Sequence, residues 1–393
     1  MKDHSFDRID KALDQFRIEI PSWGFANTGT RFGKFIQDGA ATSTAEKFAD
    51  AGEVFRLTGI TPTVALHVLW DMPNGLADVP VIRSLEREHG VRAGSINPNL
   101  FQSQEHKFGS IANPSAEIRR SALQHILDSV EIGKALESRD VSLWIADGSN
   151  YPGTQSMRRR IGWMEEVLAS THAALGPNQR MLIEYKPFEP AFYHTDIADW
   201  GMALLLARHC GPKAKVLVDT GHHYQGTNIE QIVAWLLHSN ELGGFHFNDR
   251  KYSDDDLTLG SIDPYQLFRI FAEILADGAQ TDSIAFMIDQ SHNLKGKMEA
   301  MIQSVVTAQE LYARAALIDF DRLAELQDAC RLVEAEECFR SAFWTDVRPA
   351  IRAWRERRGL APDPLQALAD SGYVDRTAKA RGERNRQSTA TYA

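Results

Sequence analysis

The stretch Val216-Leu217-Val218-Asp219-Thr220-Gly221-His222-His223 decides the fold that this sequence predicts. It is an apolar run of strand length that ends in a carboxylate, a turn glycine and two imidazoles. Because strand side chains alternate, Leu217 and Asp219 share one face. The glycine lets the chain turn and bring His222 back over the strand end. We expect a packed strand with a chemically active tip.

Three other stretches of the sequence end in the same way. Each is apolar at first and closes with two polar residues of one face: Glu184 and Lys186 in 181–187, His246 and Asn248 in 243–249, and Asp289 and Ser291 in 283–291. Polar residues at the carboxyl ends of short apolar strands are typical of a (β/α)8 barrel, whose site is built at that rim.

The remainder of the chain supplies the other strands and the surrounding helices. Further strands are predicted at 17–21, 63–71, 91–96 and 141–148, with helical patterns between them. The intervals Glu184 to Asp219, Asp219 to His246 and His246 to Asp289 are 35, 27 and 43 residues. Each suits one strand and helix unit of roughly 30 residues or more. The four residues are therefore expected on consecutive strands.

We predict a (β/α)8 TIM barrel with an additional N-terminal helix over residues 1–317. The segment 318–375 holds helical patterns beyond the needs of a barrel, so we interpret it as a C-terminal helical extension that contacts another subunit. Residues 376–393 are polar, basic and without period, and this composition predicts a disordered tail.

Composition excludes several classes of protein. The net charge of −10 argues against a nucleic acid partner. No apolar run approaches the ~20 residues that span a bilayer, and the N-terminus lacks the apolar core of a signal peptide. The 3 cysteines carry no metal-binding or disulfide spacing. These features predict a cytoplasmic protein with a small, neutral partner and no membrane contact.

The polar strand ends form two candidate metal sites. Three carboxylates and one imidazole suit Mn²⁺, Mg²⁺, Co²⁺ or Zn²⁺; they are Glu184, Asp219, His246 and Asp289. A second group is His222 with Asp254 and Asp256, which point the same way in extended chain. An acidic residue at a strand end is often only a helix cap, and Asp254 to Asp256 equally fits a solvated loop. Four caps on consecutive strand ends are a weaker explanation than one metal site.

Other polar and aromatic residues at the same rim have two possible roles. Lys186 either neutralises the carboxylates or donates to a substrate oxygen. His67 is either a core histidine or a functional group, and its place at the strand end favours function. Trp70 and Trp144 are core residues or substrate walls, and Trp70 has the opposite strand parity to His67, so it must enter the site beyond the regular strand. Ser291, which follows Asp289 on the same face, is a candidate substrate-binding residue, although a serine taken alone is a weak signal.

The chain resembles the L-rhamnose isomerase family, in the broad-specificity bacterial branch of the xylose isomerase-like barrels. The specific motifs are Ile183-Glu184-Tyr185-Lys186-Pro187, 218–223, 245–249 with Asp254 and Asp256, and 288–292. The resemblance implies two divalent cations per subunit, Mn²⁺ first. A structural cation would be held by Glu184, Asp219, His246 and Asp289, and a catalytic one by His222, Asp254 and Asp256.

The resemblance also implies a substrate and an assembly. His67, Trp70, Trp144 and Lys186 would face the sugar, and the loop around Phe32 would reach a neighbouring subunit's site in a homotetramer. The implied reaction interconverts L-rhamnose and L-rhamnulose by a metal-assisted hydride shift between C1 and C2, with activity on other aldoses such as D-allose. His67, Lys186, His222 and Asp256 would be the catalytic residues. An enediol route is the alternative mechanism.

Three other functions remain open at this point. A ketose 3-epimerase uses a related barrel, but with one metal and a pair of glutamates, whereas this sequence carries Asp289 and a second group of ligands. A barrel endonuclease with a zinc cluster needs a basic groove, which the acidic composition opposes. A non-catalytic sugar-binding protein has no need for a second metal.

Overall fold

Eight parallel strands form a barrel in the computed structural model, which describes residues 3–30, 33–189, 192–252, 256–276, 278 and 283–387. The strands are β1 Ile20–Pro21, β2 Thr63–His67, β3 Arg92–Asn97, β4 Asp140–Trp144, β5 Arg180–Glu184, β6 Ala214–Asp219, β7 Leu242–Phe247 and β8 Ala285–Ile288. They are hydrogen-bonded in sequence order. A parallel bridge between Glu19 and Met287 links β1 to β8 and brings the two ends of the sheet together. The predicted (β/α)8 barrel is confirmed.

Helices alternate with the strands and continue beyond the last one. Those of the barrel are α1 Asp3–Gln15, α2 Thr44–Thr58, α3 Val79–His89, α4 Ala116–Ala135, α5 Met157–Ala174, α6 Trp200–Cys210, α7 Ile229–His238, α8 Pro264–Ala276 and α9 Lys297–Ala315. Those that follow are α10 Phe320–Asp328, α11 Leu332–Trp344, α12 Arg348–Glu356, α13 Pro364–Ser371 and α14 Tyr373–Gln387. Two short antiparallel hairpins lie in the loops after β1 and β5. They pair residues 29–30 with 33–34 and residues 188–189 with 193–194.

Side chains alternate between the two faces of each strand, and both faces of β7 are buried. Phe245 and Phe247 lie on one face of β7, stack at 4.8 Å and are fully buried. His246 lies on the opposite face, so the same strand packs outward and offers a ligand inward. Phe16, just after α1, stacks on Tyr312 of α9 at 4.4 Å. Ile9 and Leu13 of α1 are fully buried in the same cluster, so the N-terminal helix belongs to the main core.

The strands are shorter than the sequence patterns suggest. The first pattern, 17–21, contains only the two residues of β1, and the second ends at His67. A helical turn, Val68–Asp71, follows β2 and carries Trp70. Trp70 thus enters beyond the regular strand, as its parity required.

The prediction of a disordered tail from residue 376 is wrong for residues 376–387, which belong to α14. The mean hydropathy of this helix is low, but Arg381 and Asn385 are only 4% and 2% exposed. Arg381 pairs with Asp50 of α2 at 2.7 Å. Buried polar contacts, which composition does not reveal, hold the helix. Residues 388–393 lie outside the described part of the chain.

None of the helices in the described ranges is long and apolar enough to cross a membrane.

Candidate metal centre

Four ligand groups converge at the carboxyl ends of β5 to β8. One ligand atom from each of Glu184, Asp219, His246 and Asp289 lies within 4.8 Å of the others. Nδ1 of His246 is 3.2 Å from Oε2 of Glu184 and 3.5 Å from Oδ2 of Asp289. Parallel register explains the meeting, because Asp219 is the Cα partner of His246 and Leu217 is that of Glu184. The structure brings together the four residues predicted from the strand ends.

The Asp219 carboxylate is oriented by its own turn. Its Oδ1 accepts hydrogen bonds from the Gly221 backbone N–H at 2.6 Å and from Nδ2 of Asn248 at 3.0 Å. A Cβ at Gly221 would lie 2.3 Å from Oδ1 of Asn248, so only glycine fits this turn. The two bonds leave Oδ2 directed toward the cluster.

The protonation behaviour of the cluster reflects crowded buried charge. Burial, together with the charges of Glu184 and Asp289, raises the pKa of Asp219 to about 7. Burial opposes the charged form of His246, but Glu184 and the other carboxylates raise its pKa to about 9. Burial likewise opposes ionisation of Glu184, yet His246 and His222 hold its pKa below the usual range. The cluster carries negative charge that a cation would compensate.

The donor set fits a divalent cation. Within the described part of the chain, Asp219 Oδ2 is buried without a hydrogen-bond partner, and His246 Nδ1 faces carboxylates, the nearest of them 3.2 Å away on Glu184. Such groups are costly to bury unless something binds them. Carboxylate oxygens with one imidazole suit Mn²⁺, Co²⁺, Mg²⁺ or Zn²⁺. The cluster could therefore hold one metal ion.

The predicted second group is described only in part. Asp254 lies outside the described residues, and Asp256 lines the cavity beside the cluster. The backbone φ of Asp256 is +45°, so the extended-chain argument for a paired Asp254 and Asp256 does not hold at this residue. His222 donates from Nδ1 to the Tyr185 carbonyl at 3.0 Å. Because a carbonyl only accepts, Nδ1 is the donor, and a neutral His222 would offer Nε2 as its lone-pair nitrogen to a metal.

A cavity of about 540 Å³ opens beside the cluster and has an aromatic wall. His67 lies between the rings of Trp23 and Trp70, at centroid distances of 4.6 and 4.3 Å. The wall continues through Phe101 to Trp144, 4.8 Å apart. A pocket with one apolar wall and one charged wall suits a small ligand that has both polar and apolar faces.

Burial keeps His67 neutral by lowering its pKa to about 3. Its Nδ1 has no hydrogen-bond partner among the described residues. Lys186 also lines the cavity, where its Nζ donates to Oε2 of Glu189 at 2.9 Å and lies 5.2 Å from the Trp144 ring centroid. Both side chains are placed to touch a ligand.

Two further predicted residues have different outcomes. Ser291 lines the cavity, and its Oγ lies 2.6 Å from Oγ1 of Thr28. Phe32 lies outside the described residues.

Sequence reasoning missed several residues that line the cavity: Trp23, Thr28, Asn97, Phe101, Glu189 and Asn293. The rule that found the metal ligands could have found some of them. Trp23 follows β1, and Phe101 follows β3, at the same rim of the barrel. Trp70 and Trp144 were predicted from the same rim, but Trp23 and Phe101 lie two and four residues past their strands, where the alternation of a strand no longer indicates a direction.

Two curated relatives match nearly the whole chain. A probable sugar isomerase from Mesorhizobium japonicum is 38% identical over 385 residues, which cover 96% of this chain and 89% of the relative. A probable sugar isomerase from Rhizobium meliloti is also 38% identical, covering 95% and 88%. The chain belongs to this family of probable sugar isomerases. A xylose isomerase from Thermus thermophilus matches part of this sugar isomerase family member. The two are 25% identical over 183 residues, which cover 44% of this chain and 47% of that enzyme.

Solved structures resemble this sugar isomerase family member in fold. A xylose isomerase domain protein from Alicyclobacillus acidocaldarius has a TM-score of 0.55 at 15% identity and covers 77% of this chain and 99% of its own. The 3-keto-D-glucoside 4-epimerase of E. coli has a TM-score of 0.55 at 13% identity, covering 75% and 99%. At such identities the likeness concerns the barrel alone. No family model matches the sequence.

Proposed function

We propose that this protein is a metal-dependent aldose-ketose isomerase that interconverts L-rhamnose and L-rhamnulose and also acts on other aldoses such as D-allose. One observation carries the proposal: the four-ligand cluster opens directly onto a cavity of about 540 Å³ with an aromatic wall. The names of its full-length relatives, probable sugar isomerases, support the reaction class.

The substrate proposal rests on the two walls of the cavity. A deoxy sugar such as L-rhamnose has hydroxyl oxygens for the charged wall and a methyl group for an apolar one. Trp70, Phe101 and Trp144 provide apolar surface. The Trp144 Nε1 has no hydrogen-bond partner in the described part of the chain, so it is able to donate to a sugar hydroxyl.

The proposed cofactors are two divalent cations per subunit, with Mn²⁺ preferred. Glu184, Asp219, His246 and Asp289 would hold the first, and His222, Asp254 and Asp256 the second. Bound cations supply positive charge that lowers the pKa of nearby hydroxyl groups and stabilises developing negative charge. The buried cluster fits that role because its four side chains are three carboxylates and one imidazole.

The protein's own residues would perform the remaining steps. Lys186, held by Glu189, would donate a hydrogen bond to a sugar oxygen and stabilise charge on it. His67 is neutral in the physiological range, so its imidazole can accept the O1 proton of the closed sugar and pass a proton to the ring oxygen as the ring opens. Trp23 and Trp70 hold the imidazole plane between them. Transfer of a hydride from C2 to C1, with the O2 proton passing to O1, would then convert the open aldose to the ketose.

An epimerase acting on ketoses is the second candidate. Structural neighbours include an L-ribulose 3-epimerase, with a TM-score of 0.51 at 14% identity. A ketose 3-epimerase uses a pair of glutamates, whereas the cluster of this protein pairs Glu184 with Asp289. This difference in side-chain length favours the isomerase.

The deciding experiment is turnover of L-rhamnose by metal-stripped protein, before and after Mn²⁺ is added. We expect L-rhamnulose to form only with the metal. D-allose and a ketose, tested in parallel with product analysis by NMR, distinguish the alternatives. Epimerisation of the ketose without aldose formation would replace the isomerase by the epimerase. No conversion of any sugar with any divalent ion would refute both enzymes.

We also propose that the protein is cytoplasmic and forms a homotetramer in which the loop around Phe32 contributes to a neighbouring site. The helical extension that follows the barrel, α10 to α14, and the resemblance to a tetrameric family support this assembly. Light scattering coupled to size-exclusion chromatography gives the subunit count, and a monomer would contradict it.

A further inference from the structure

The C-terminal helix α14 binds the loop that follows β1. Asn385 Nδ2 donates to the backbone carbonyls of Asp38 and Ala40, both at 2.9 Å. Arg381 donates to the carbonyl of Gly39 at 2.9 Å. Three successive carbonyls of the loop, 38 to 40, are thus satisfied by one helix. Buried carbonyls need such partners, so the loop conformation depends on α14.

The helix is itself fixed to the barrel, so it can serve as an anchor. Arg381 makes two hydrogen bonds to Asp50 of α2, at 2.7 and 2.9 Å. The Tyr373 hydroxyl donates to the same carboxylate at 2.6 Å. A Cβ at Gly382 would lie 3.2 Å from Cγ of Asp38, which shows how closely the loop approaches the helix.

The anchored loop leads directly to the cavity. Asn385 Oδ1 accepts a hydrogen bond from Nδ2 of Asn27 at 3.0 Å. Asn27 precedes Thr28, which lines the cavity and lies 2.6 Å from the Ser291 hydroxyl. A chain of only a few hydrogen bonds therefore joins the C-terminal helix to the wall of the site.

A second branch ties the same loop to the residues after β8. The Gln37 backbone N–H donates to Oδ1 of Asn27 at 3.0 Å. Its side-chain Nε2 donates to the carbonyls of His292 and Lys295, at 3.1 and 2.9 Å. Asn293, between these two carbonyls, lines the cavity. The loops after β1 and β8 are thus held against each other on one side of the cavity.

We propose that Asn385 and Arg381 are positioning residues for substrate binding. They act through Asn27 and Gln37 to fix Thr28, Ser291 and Asn293 against the bound sugar, although neither touches the cavity. The metal ligands lie at the carboxyl ends of β5 to β8 and make none of the hydrogen bonds named above. Loss of the network should weaken sugar binding and leave metal binding intact. The link to sugar rests on the proposed function.

The test compares Asn385→Ala with Arg384→Ala in the full-length, Mn²⁺-loaded protein. Arg384 is a matched control because it lies on the same helix, is 55% exposed on its side chain and pairs with Glu46. For Asn385→Ala we expect KM for L-rhamnose to rise about tenfold with kcat within twofold of wild type. Mn²⁺ affinity should stay unchanged, and the control should match wild type in all three quantities. Asn385→Asp keeps the acceptor for Asn27 but lacks the amide donor, so it should resemble the alanine variant.

Amide hydrogen exchange tests the same network without any substrate. Exchange in segments 35–41 and 291–295 should quicken at least tenfold in Asn385→Ala and stay at the wild-type rate in Arg384→Ala. Unchanged exchange in both segments would overturn the proposal, as would a fall in kcat accompanied by metal loss. If wild type turns over no sugar, the isomerase fails, and exchange alone decides whether α14 holds the loops. If Asn385→Ala does not fold, Asn27→Ala breaks the same hydrogen bond from the loop side. The changes in KM and exchange expected for Asn385→Ala are then expected for Asn27→Ala, and their absence would overturn the proposal.

Discussion

The indole nitrogen of Trp23 donates a 2.9 Å hydrogen bond to Oδ1 of Asp289. This bond joins the aromatic wall to the metal cluster, since the Trp23 ring also lies 4.6 Å from His67. It leaves Oδ2 of Asp289 as the oxygen nearer His246, at 3.5 Å from Nδ1. Trp23 therefore selects which oxygen of Asp289 is presented to a cation.

Replacing Trp23 by phenylalanine tests this selection. The change keeps an aromatic ring beside His67 and removes the hydrogen bond to Asp289. Loss of a partner that orients a metal ligand typically costs about 10- to 100-fold in metal affinity. We expect the Mn²⁺ dissociation constant, measured by isothermal titration calorimetry, to rise about tenfold. Phe101→Leu, which alters the same wall without touching a ligand, is the control. An unchanged dissociation constant in Trp23→Phe would show that Trp23 contributes to the aromatic wall of the cavity and does not orient Asp289 for metal binding.

Asp289→Asn should remove metal binding and leave the fold intact. A direct ligand is lost, so Mn²⁺ affinity should fall by more than about 100-fold, beyond the range for orienting partners. In the metal-free protein, burial and the nearby charge of Glu184 raise the pKa of Asp289. A neutral amide relieves this repulsion, so the metal-free variant should melt no lower than metal-free wild type. Full turnover after chelation in this variant would remove the case for a metal at the cluster.

The predicted second cation has its own pair of variants. Asp254→Asn and Asp256→Asn should each abolish turnover while sugar binding, followed by calorimetry, is retained. Asp255→Asn is the matched control, because it changes an intervening carboxylate that was not predicted to be a ligand. Retained turnover in both outer variants would reduce the site to one cation and favour an epimerase-like arrangement. Loss of sugar binding in them would instead make this loop part of the sugar site.

The metal cluster was predictable because the determinants of a barrel site are local in sequence. Each ligand ends an apolar run, and parallel strands carry all such ends to one rim. Register then completes the cluster, as with Asp219 and His246. The fold class followed from the same pattern.

What the sequence did not reveal depends on contacts between distant segments. The order of α14 comes from Arg381 and Asp50, which are 331 residues apart. The role of Trp23 depends on Asp289, 266 residues away. Neither relation leaves a periodic pattern, and a polar helix reads as a solvated tail when its partners are unknown. Asp256 illustrates a further limit, since its left-handed backbone could not be inferred from its neighbours in the sequence.

A buried lysine next to the site offers a test by pH. Lys297 begins α9 and is 6% exposed. Its Nζ donates to the Ser291 hydroxyl at 3.3 Å, and no carboxylate pairs with it within the part of the chain that the structure describes. Burial lowers its pKa from 10.5 to about 8. The folded state thus carries an unpaired ammonium at pH 7, at a cost in stability.

The sign of the effect follows from proton linkage. Between pH 8 and 10.5 the unfolded chain still holds the proton that folded Lys297 has released. The free energy of unfolding therefore gains a contribution that rises with pH across this window. Below pH 8 both states are protonated, and the full cost of burying the charge is present. Lys297→Met should remove the cost and its pH dependence.

We expect Lys297→Met to be more stable than wild type at pH 7 and to lose that advantage as the pH rises through 8 toward 10.5. One pKa unit corresponds to about 1.4 kcal/mol, so the difference at pH 7 is on the order of 2 kcal/mol after the lost bond to Ser291 is allowed for. Urea unfolding at several pH values measures it. Lys295→Met is the control. That lysine bonds to Thr258 and Gln303, so its replacement should leave the pH dependence of stability as in wild type.

The pKa of His292 provides an independent readout. Burial, with the charges of Lys295 and Lys297, lowers this pKa to about 4, and it should rise in Lys297→Met when followed by NMR. A stability difference that stays constant from pH 7 to 10 would mean that Lys297 is not charged in the folded protein at neutral pH.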